Sequence, residues 1–281
     1  MNFISAGAKK TILRIALGFI MILLCAIFLL PFFWAISTSL RLPKDSFNLP
    51  PQFFPTSFCI QNYEMVFSTF PFLKFILNSL LVAVVLTISQ VIITTMAGYA
   101  FARLHFAGKN ICFFLILSGI MIPISSIIIP QFMVVKSLGI MDSQLAIILP
   151  YLINPMGIFL VKQFMQTIPS SYDEAAIIDG AGKFRIYWNV ILPMSVPALA
   201  VVVVMTFVGS WNNFFGPLIY ISSWDKMTLP LGLNVLSSSL GNGDISVILA
   251  GVVIAFIPPI LIYIFGQKYL LQGTTLSGLK S

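Results

Sequence analysis

Six stretches of this chain contain no Asp, Glu, Lys or Arg: residues 15–40, 75–102, 110–135, 143–161, 186–224 and 245–267. A bilayer core about 30 Å thick takes roughly 20 apolar residues per helix, and every stretch is close to that length or longer. Inside lipid, backbone polar groups must be satisfied within the segment, so continuous apolar runs of this kind span as helices. Composition agrees: 59% of the 281 residues are hydrophobic and only 8% charged, against about 45–50% and about 25% in soluble domains. That excludes a soluble enzyme and a disordered chain. The three cysteines exclude a disulfide framework too, since Cys25 and Cys112 lie inside apolar runs and leave Cys59 without a partner. The fold class expected is all-α, a polytopic membrane protein.

The fifth stretch is too long for one span. Pro193 and Pro197 stand near its start, and Trp211, Asn212 and Asn213 make its far end polar. Six helices are therefore expected near 13–38, 74–98, 110–131, 144–165, 194–217 and 245–266, in one transmembrane domain over 1–281. Prolines 123, 130, 258 and 259 should kink or break their spans. With both termini inside, the inner segments hold Lys9, Lys10, Arg14, Arg103, Lys109, Lys162, Lys183, Arg185, Lys268 and Lys280. The outer ones hold only Arg41, Lys44, Lys74, Lys136 and Lys226. This bias predicts cytoplasmic termini, and it explains the net charge of +7 without a nucleic-acid partner. Ala35-Ile36-Ser37 is a passable cleavage sequence, but the run before it is longer than the 7–15 residues of a signal-peptide core. The first span is expected to stay. Three connections are long: 39–73, rich in proline (43, 50, 51, 55, 71), 166–193, and 218–244 with Gly232, Gly241 and Gly243.

Chemistry is sparse. All eight carboxylates (Asp45, Glu64, Asp142, Asp173, Glu174, Asp179, Asp225, Asp244) fall in loops or at span edges. None is left at mid-membrane to carry a proton or hold sodium, which disfavours an ion-driven transporter. The one histidine, His105, sits between Arg103 and Lys109 in an inner loop. Gly-Lys occurs at 108–109 and 182–183, but Arg103 and Ile177 stand where a nucleotide-binding P-loop needs its first glycine. No metal spacing and no hydrolase pattern is present. The chain is expected to be no enzyme and to hold no cofactor or metal, so energy for directional work must come from a partner.

The inner loop 166–193 carries the most information. Ser171 followed by Glu174 has capping-box spacing and predicts a helix start. Ala175 and Ala176 favour the helix with little bulk, and Gly180 and Gly182 suit a tight turn. Phe184, Tyr187, Trp188 and Ile191 then recur at helical spacing up to Pro193. The pattern predicts a short helix, a glycine turn and an amphipathic second helix. Patterning alone equally allows an interfacial helix lying on the membrane.

This loop resembles the EAA loop of ATP-binding-cassette importer permeases. That pattern is Glu-Ala-Ala, three residues, Gly, nine residues, Ile, one residue, Leu-Pro. Here Glu174, Ala175, Ala176, Gly180, Leu192 and Pro193 meet it, with Val190 in place of Ile. Other segments are similar to the maltose-type, carbohydrate-importer branch. They include Asn78-Ser79, Gly98-Tyr99-Ala100-Phe101-Ala102-Arg103, Ile122-Pro123, Leu138-Gly139, Ile178-Asp179-Gly180-Ala181, Trp211-Asn212, Pro217-Leu218, and a tail with Gln267, Tyr269, Gly273, Gly278 and Lys280.

The resemblance implies the shorter, six-helix permease subunit of an importer in a prokaryotic cell membrane, moving a sugar or related polyol. It implies a second homologous permease, an ATPase dimer that binds ATP and Mg, and an extracytoplasmic solute-binding protein meeting loops 39–73 and 218–244. Glu174, Ala175, Ala176, Asp179, Gly180 and Pro193 would couple to the ATPase. A permease for a non-sugar solute is the alternative, and an ion-gradient-driven transporter a more distant one. Asn154, Trp211, Asn212 and Asn213 are candidates for the solute pathway, with Gln90, Ser118, Ser125 and Ser126 behind them. Each could instead tie helices together by hydrogen bonds.

Overall fold

A computed structural model describes residues 6–46, 53–54, 58–240 and 244–278. Pro50, Pro51, Pro55, Gly241, Gly243, Lys280 and the side chain of Ser125 lie outside the described residues. Among the described residues all regular structure is helical. In chain order the helices are α1 (Ala6–Ser39), α2 (Gln61–Thr69), α3 (Phe72–Arg103), α4 (Lys109–Met121), α5 (Ile124–Ser137), α6 (Gln144–Ile148) and α7 (Pro155–Thr167). They continue with α8 (Ser171–Ile178), α9 (Lys183–Ile186), α10 (Leu192–Met194), α11 (Val196–Trp211), α12 (Phe215–Tyr220), α13 (Leu229–Leu240) and α14 (Ile245–Gly278). Segments 10–39, 72–103 and 245–269 are long and apolar enough to cross a membrane unbroken. Three bent pairs, 109–121 with 126–137, 144–151 with 155–167, and 183–194 with 196–211, bring the spans to six.

The chain divides into two compact units. The first comprises residues 1–70 and 235–254. Its helix α1 is apolar on all sides and exposed from Lys10 to Phe32, as a span surrounded by lipid requires. At the end of α1 polar groups turn inward around Asn62 of α2. The Asn62 amide donates to the carbonyls of Ser39 (2.8 Å) and Arg41 (2.7 Å), and Arg41 Nη2 donates to Ser37 Oγ at 3.1 Å. Chain turns that leave a helix in a buried place need such donors, because the freed carbonyls have no water.

The second unit comprises residues 71–234 and 255–281, and α3 is its central post, packed along both α7 and α11. Gly98 permits the close approach of α7: a Cβ there would fall 2.7 Å from Val161 Cγ1. Apolar layers fill the two ends of the unit, one around Val161, Met165, Ile186, Tyr187, Ile191 and Val202, the other around Val82, Leu86, Ile147, Ile148 and Leu231.

Two expectations about the spans change. Prolines 258 and 259 lie inside α14, and Pro130 inside α5, without ending either helix. Each removes one backbone donor, but the flanking ladder carries on. Pro123, by contrast, occupies the N-cap of α5 in extended geometry and does divide its span. The segment expected over 194–217 is also not one helix. It starts at Val196, with Pro197 in the first turn where its missing N–H is harmless, and stops at Trp211 before a separate α12.

The connection that follows α12 is pinned to α3 by the Asn78-Ser79 pair. The Asn78 amide donates to the carbonyls of Asp225 and Met227, both at 2.9 Å, and the buried Ser79 hydroxyl accepts from Leu229 N at 2.7 Å. Asp142, itself at a positive φ of 54°, holds the neighbouring turn. Its carboxylate accepts from Ser222 N and Ser223 N (2.9 Å each), Ser223 Oγ (2.6 Å) and Lys226 Nζ (3.1 Å). The Ser223 hydroxyl and the two backbone N–H groups hold this carboxyl well below the usual carboxylate range. A depressed folded-state pKa contributes stability that is present above the unfolded value of about 3.9 and is lost as pH falls. Asp142→Asn should therefore unfold at a lower temperature than wild type at pH 7 in detergent. The gap should narrow as the pH is brought below about 4, as measured by differential scanning fluorimetry.

Candidate functional site: the 166–193 loop

α8 follows Thr167 by a short turn through Pro169. The N-cap is Ser170, in helical geometry and without a side-chain cap bond, so the capping box expected from Ser171 and Glu174 does not form. Ser171 is already inside the first turn, and the Glu174 N–H instead bonds the Ser170 carbonyl at 3.0 Å. The helix stop matches the sequence more closely. Gly180 has φ 78°, its N–H bonds the Ile177 carbonyl at 2.9 Å, and Ala181 N–H bonds the Ala176 carbonyl at 2.9 Å. Those two bonds and the left-handed residue make a Schellman motif. Ala176 and Ala181 meet the apolar layer beneath, while Glu174, Ala175, Ile177, Ile178 and Asp179 face outward. Ile178 is 86% exposed. A helix this short, with its apolar side chains in solvent, is held by its flanks and not by its own propensity.

The flanks are anchored to α3. Arg103 Nη2 donates to the Ile168 carbonyl at 2.6 Å, and Arg103 Nε stands 3.5 Å from Asp173 Oδ2. On the far side of the turn, Tyr99 Oη donates to the Lys183 carbonyl at 3.1 Å, and the hydroxyls of Thr95 and Tyr187 are 2.9 Å apart in a buried place. From Tyr187 to Ile191 the chain makes a π-helical turn. This extra residue per turn splits the aromatic stripe expected from helical spacing. Tyr187 and Ile191 are buried, whereas Phe184 and Trp188 stack on each other in the open. Pro193, exposed, lies just before a 76° bend between 183–194 and 196–211. At the bend Ser195 bonds the Ile191 carbonyl through both its N–H (3.0 Å) and its hydroxyl (2.7 Å).

The pathway candidates do not form one cluster. Asn154 caps α7 by accepting from Gly157 N at 2.9 Å and donates to Gln90 Oε1 at 2.9 Å. Gln90 Oε1 also accepts from Thr206 Oγ1 at 2.7 Å, and its amide donates to the Tyr151 carbonyl. Trp211 is 2% exposed, stacks on Phe207 and donates to the Ala255 carbonyl at 3.1 Å. Asn212 is exposed at the end of α11. Asn213 accepts from Gly216 N at 3.2 Å at the start of α12. Ser118 bonds its own helix at Leu115, and Ser126 is exposed. Thr206 and Tyr151 complete the Gln90 cluster, and neither carries a sequence signal, since each sits singly in an apolar run. Among the described residues no group of His, Cys, Asp or Glu could hold a metal.

The Gly180 turn generates a direct test. A β-branched side chain at φ 78° is disfavoured by about 1–2 kcal/mol, so Gly180→Val should speed amide exchange at Ala181 by roughly five- to thirtyfold. Gly180→Asn, which tolerates the left-handed region, should stay near wild type in the same hydrogen–deuterium exchange experiment.

With this geometry in hand, known proteins supply the frame. Residues 90–275 match the family described as binding-protein-dependent transport system inner membrane component. The chain is 32% identical over 275 residues to the arabinooligosaccharides transport system permease protein AraQ of Bacillus subtilis (strain 168), covering 96% of this chain and 97% of that one. It is 31% identical over 284 residues to the inner membrane ABC transporter permease protein YcjP of Escherichia coli (strain K12), covering 98% and 99%. Its fold is similar to a chain of a bacterial ABC transporter involved in the import of the acidic polysaccharide alginate, with TM-score 0.81, 22% identity, and coverage of 96% and 100%. An all-α, multi-pass membrane architecture and a family match over most of the chain lead to one conclusion: this protein belongs to the inner-membrane components of binding-protein-dependent transport systems and is an ABC-type importer permease.

Proposed function

We propose that the chain forms half of the translocation pathway for a sugar or related polyol and is driven by a separate ATPase that docks on α8. The observation that carries this reading is an exposed helix set on a rigid base. Ala175, Ile177, Ile178 and Glu174 face outward, while both flanks of α8 are bonded to α3. In this role Ala175 permits close approach and Glu174 meets a basic group of the ATPase cleft. Ala176 seats the helix on the apolar layer, Asp179 and Gly180 set its end, and Pro193 begins the turn into the span. ATP and Mg would be held by the ATPase dimer. A second homologous permease would supply the other half of the pathway and a solute-binding protein would deliver solute from outside, both termini lying in the cytoplasm. A sugar is supported by the relationship to AraQ, whose name assigns it arabinooligosaccharides, and by motifs similar to the carbohydrate branch. Asn154, Asn212 and Asn213 carry amide groups of a type suited to hydroxyl-rich solute, and Trp211 is the aromatic candidate next to Asn212 in the chain.

The test is a gentle-detergent purification of the chain expressed from its own gene neighbourhood, beside a Glu174→Lys, Gly180→Asp variant. An ATPase identified by its P-loop, together with a second permease, should co-purify with wild type, and the variant should lose the ATPase while keeping the permease. Sugars supplied with the solute-binding protein should then stimulate ATP hydrolysis. A wild-type chain that is folded and free of any ATPase, or an ATPase unaffected by both substitutions, would overturn the reading.

A further inference from the structure

The segment Gly98-Tyr99-Ala100-Phe101-Ala102-Arg103 takes no part in the docking face, yet its side chains hold the whole loop. Thr95, Tyr99 and Arg103 are four residues apart and form one stripe along the end of α3. Each reaches the loop. Arg103 takes the incoming flank at the Ile168 carbonyl and Asp173. Tyr99 takes the outgoing flank at the Lys183 carbonyl, and Thr95 takes it at Tyr187. Bonds of this kind, at both flanks of α8, allow it no displacement that α3 does not share. Covalently, α8 joins α7 through residues 168–170, whose first carbonyl Arg103 holds, and joins α11 through a π turn and a 76° bend at Ser195.

The Thr95–Tyr187 pair has a defined direction. Thr95 Oγ1 lies 2.7 Å from the Val91 carbonyl, which takes its single proton. Tyr187 therefore donates to Thr95. Thr95 is 1% exposed and Tyr187 5%, and the Tyr187 ring lies against that of Tyr99 with centroids 5.2 Å apart. Water is excluded, so a separated pair leaves the Tyr187 hydroxyl without an acceptor, while Thr95 keeps its bond to the Val91 carbonyl. Such a contact holds or breaks; it does not stretch.

We propose that the Thr95–Tyr99–Arg103 stripe is the joint that delivers displacement of α8 to the membrane spans, with α3 as the driven helix and the Thr95–Tyr187 bond as its fixed point. These are positioning residues, acting through α8. The proposal rests on docking of an ATPase at α8, as proposed above.

The experiment uses the purified complex in proteoliposomes and reads solute transported per ATP hydrolysed, with the amount of co-purified ATPase recorded for each variant. Thr95→Val and Tyr187→Phe keep shape and remove one hydroxyl each. Both should retain the ATPase and hydrolyse ATP within about twofold of wild type, while transport per ATP falls at least about fivefold. The double variant should be no worse than either single one, because both remove the same bond, and Thr95→Ser should restore the wild-type ratio. If Thr95→Val does not assemble, Tyr99→Phe removes only the bond to the Lys183 carbonyl and should lower the same ratio. Reduced thermal stability with an unchanged ratio makes the stripe mere packing and overturns the proposal. A wild-type chain that retains no ATPase removes the docking reading and this one together, whereas retained ATPase with an unchanged ratio removes this one alone.

Discussion

Inside a bilayer a broken helix exposes backbone groups that water cannot reach, and most of the polar chemistry in this chain answers that constraint. Three of the interruptions carry their own compensation. Where the fourth span breaks after Tyr151, Asn154 accepts from Gly157 N and Gln90 donates to the Tyr151 carbonyl. Where the fifth stops at Trp211, Asn213 accepts from Gly216 N. At the bend before the fifth, Ser195 bonds back to Ile191 through its N–H and its hydroxyl. These interruptions are thus local and satisfied, and a span can change direction there without exposing a bare peptide group to lipid.

The same constraint bears on the 166–193 loop, whose short helix is fixed at its end, base and flanks. Outside the membrane a helix of eight residues is marginal alone. Here its end is fixed by the left-handed Gly180, its base by Ala176 and Ala181 on the apolar layer, and its flanks by one stripe of α3. Gly98 deepens the arrangement by letting Val161 of α7 lie against α3. On the proposed reading, ATP-driven movement at α8 reaches α3 through side-chain bonds, α7 through the chain and apolar contact, and α11 through the chain. Motion would then be shared among three spans in place of being lost in a flexible linker.

Much of this was legible in the sequence, and the omissions have physical reasons. Charge-free runs locate the spans because a charge is costly in lipid. Prolines mislead, because the sequence does not say whether Pro258 and Pro259 begin a helix or sit inside one. Gly180 announces the loop's turn, since few other residues tolerate its φ. The cap at Ser171 fails because Pro169 already starts the turn, and the π turn over Tyr187–Ile191 shifts every residue after it away from ordinary helical phase. The role of the α3 stripe is not legible for another reason. Its partners lie 65 to 92 residues away; Tyr99 and Arg103 stand in a motif similar to the carbohydrate branch, but neither that motif nor Thr95 announces a bond to the loop. The pathway candidates were likewise chosen by residue type alone, which does not distinguish an amide that caps a helix from one that faces a solute.

On the proposed reading, α8 is the surface on which an ATPase acts. Ile178→Cys, in a chain whose own Cys25, Cys59 and Cys112 are replaced by Ala, can carry a benzophenone at the most outward point of that helix. Irradiated in native membranes and identified by mass spectrometry, the adduct should contain a P-loop ATPase, and its yield should change when ATP is replaced by ADP. Labelling confined to lipid, with no ATPase in the adduct, would make α8 an interfacial helix and contradict the account.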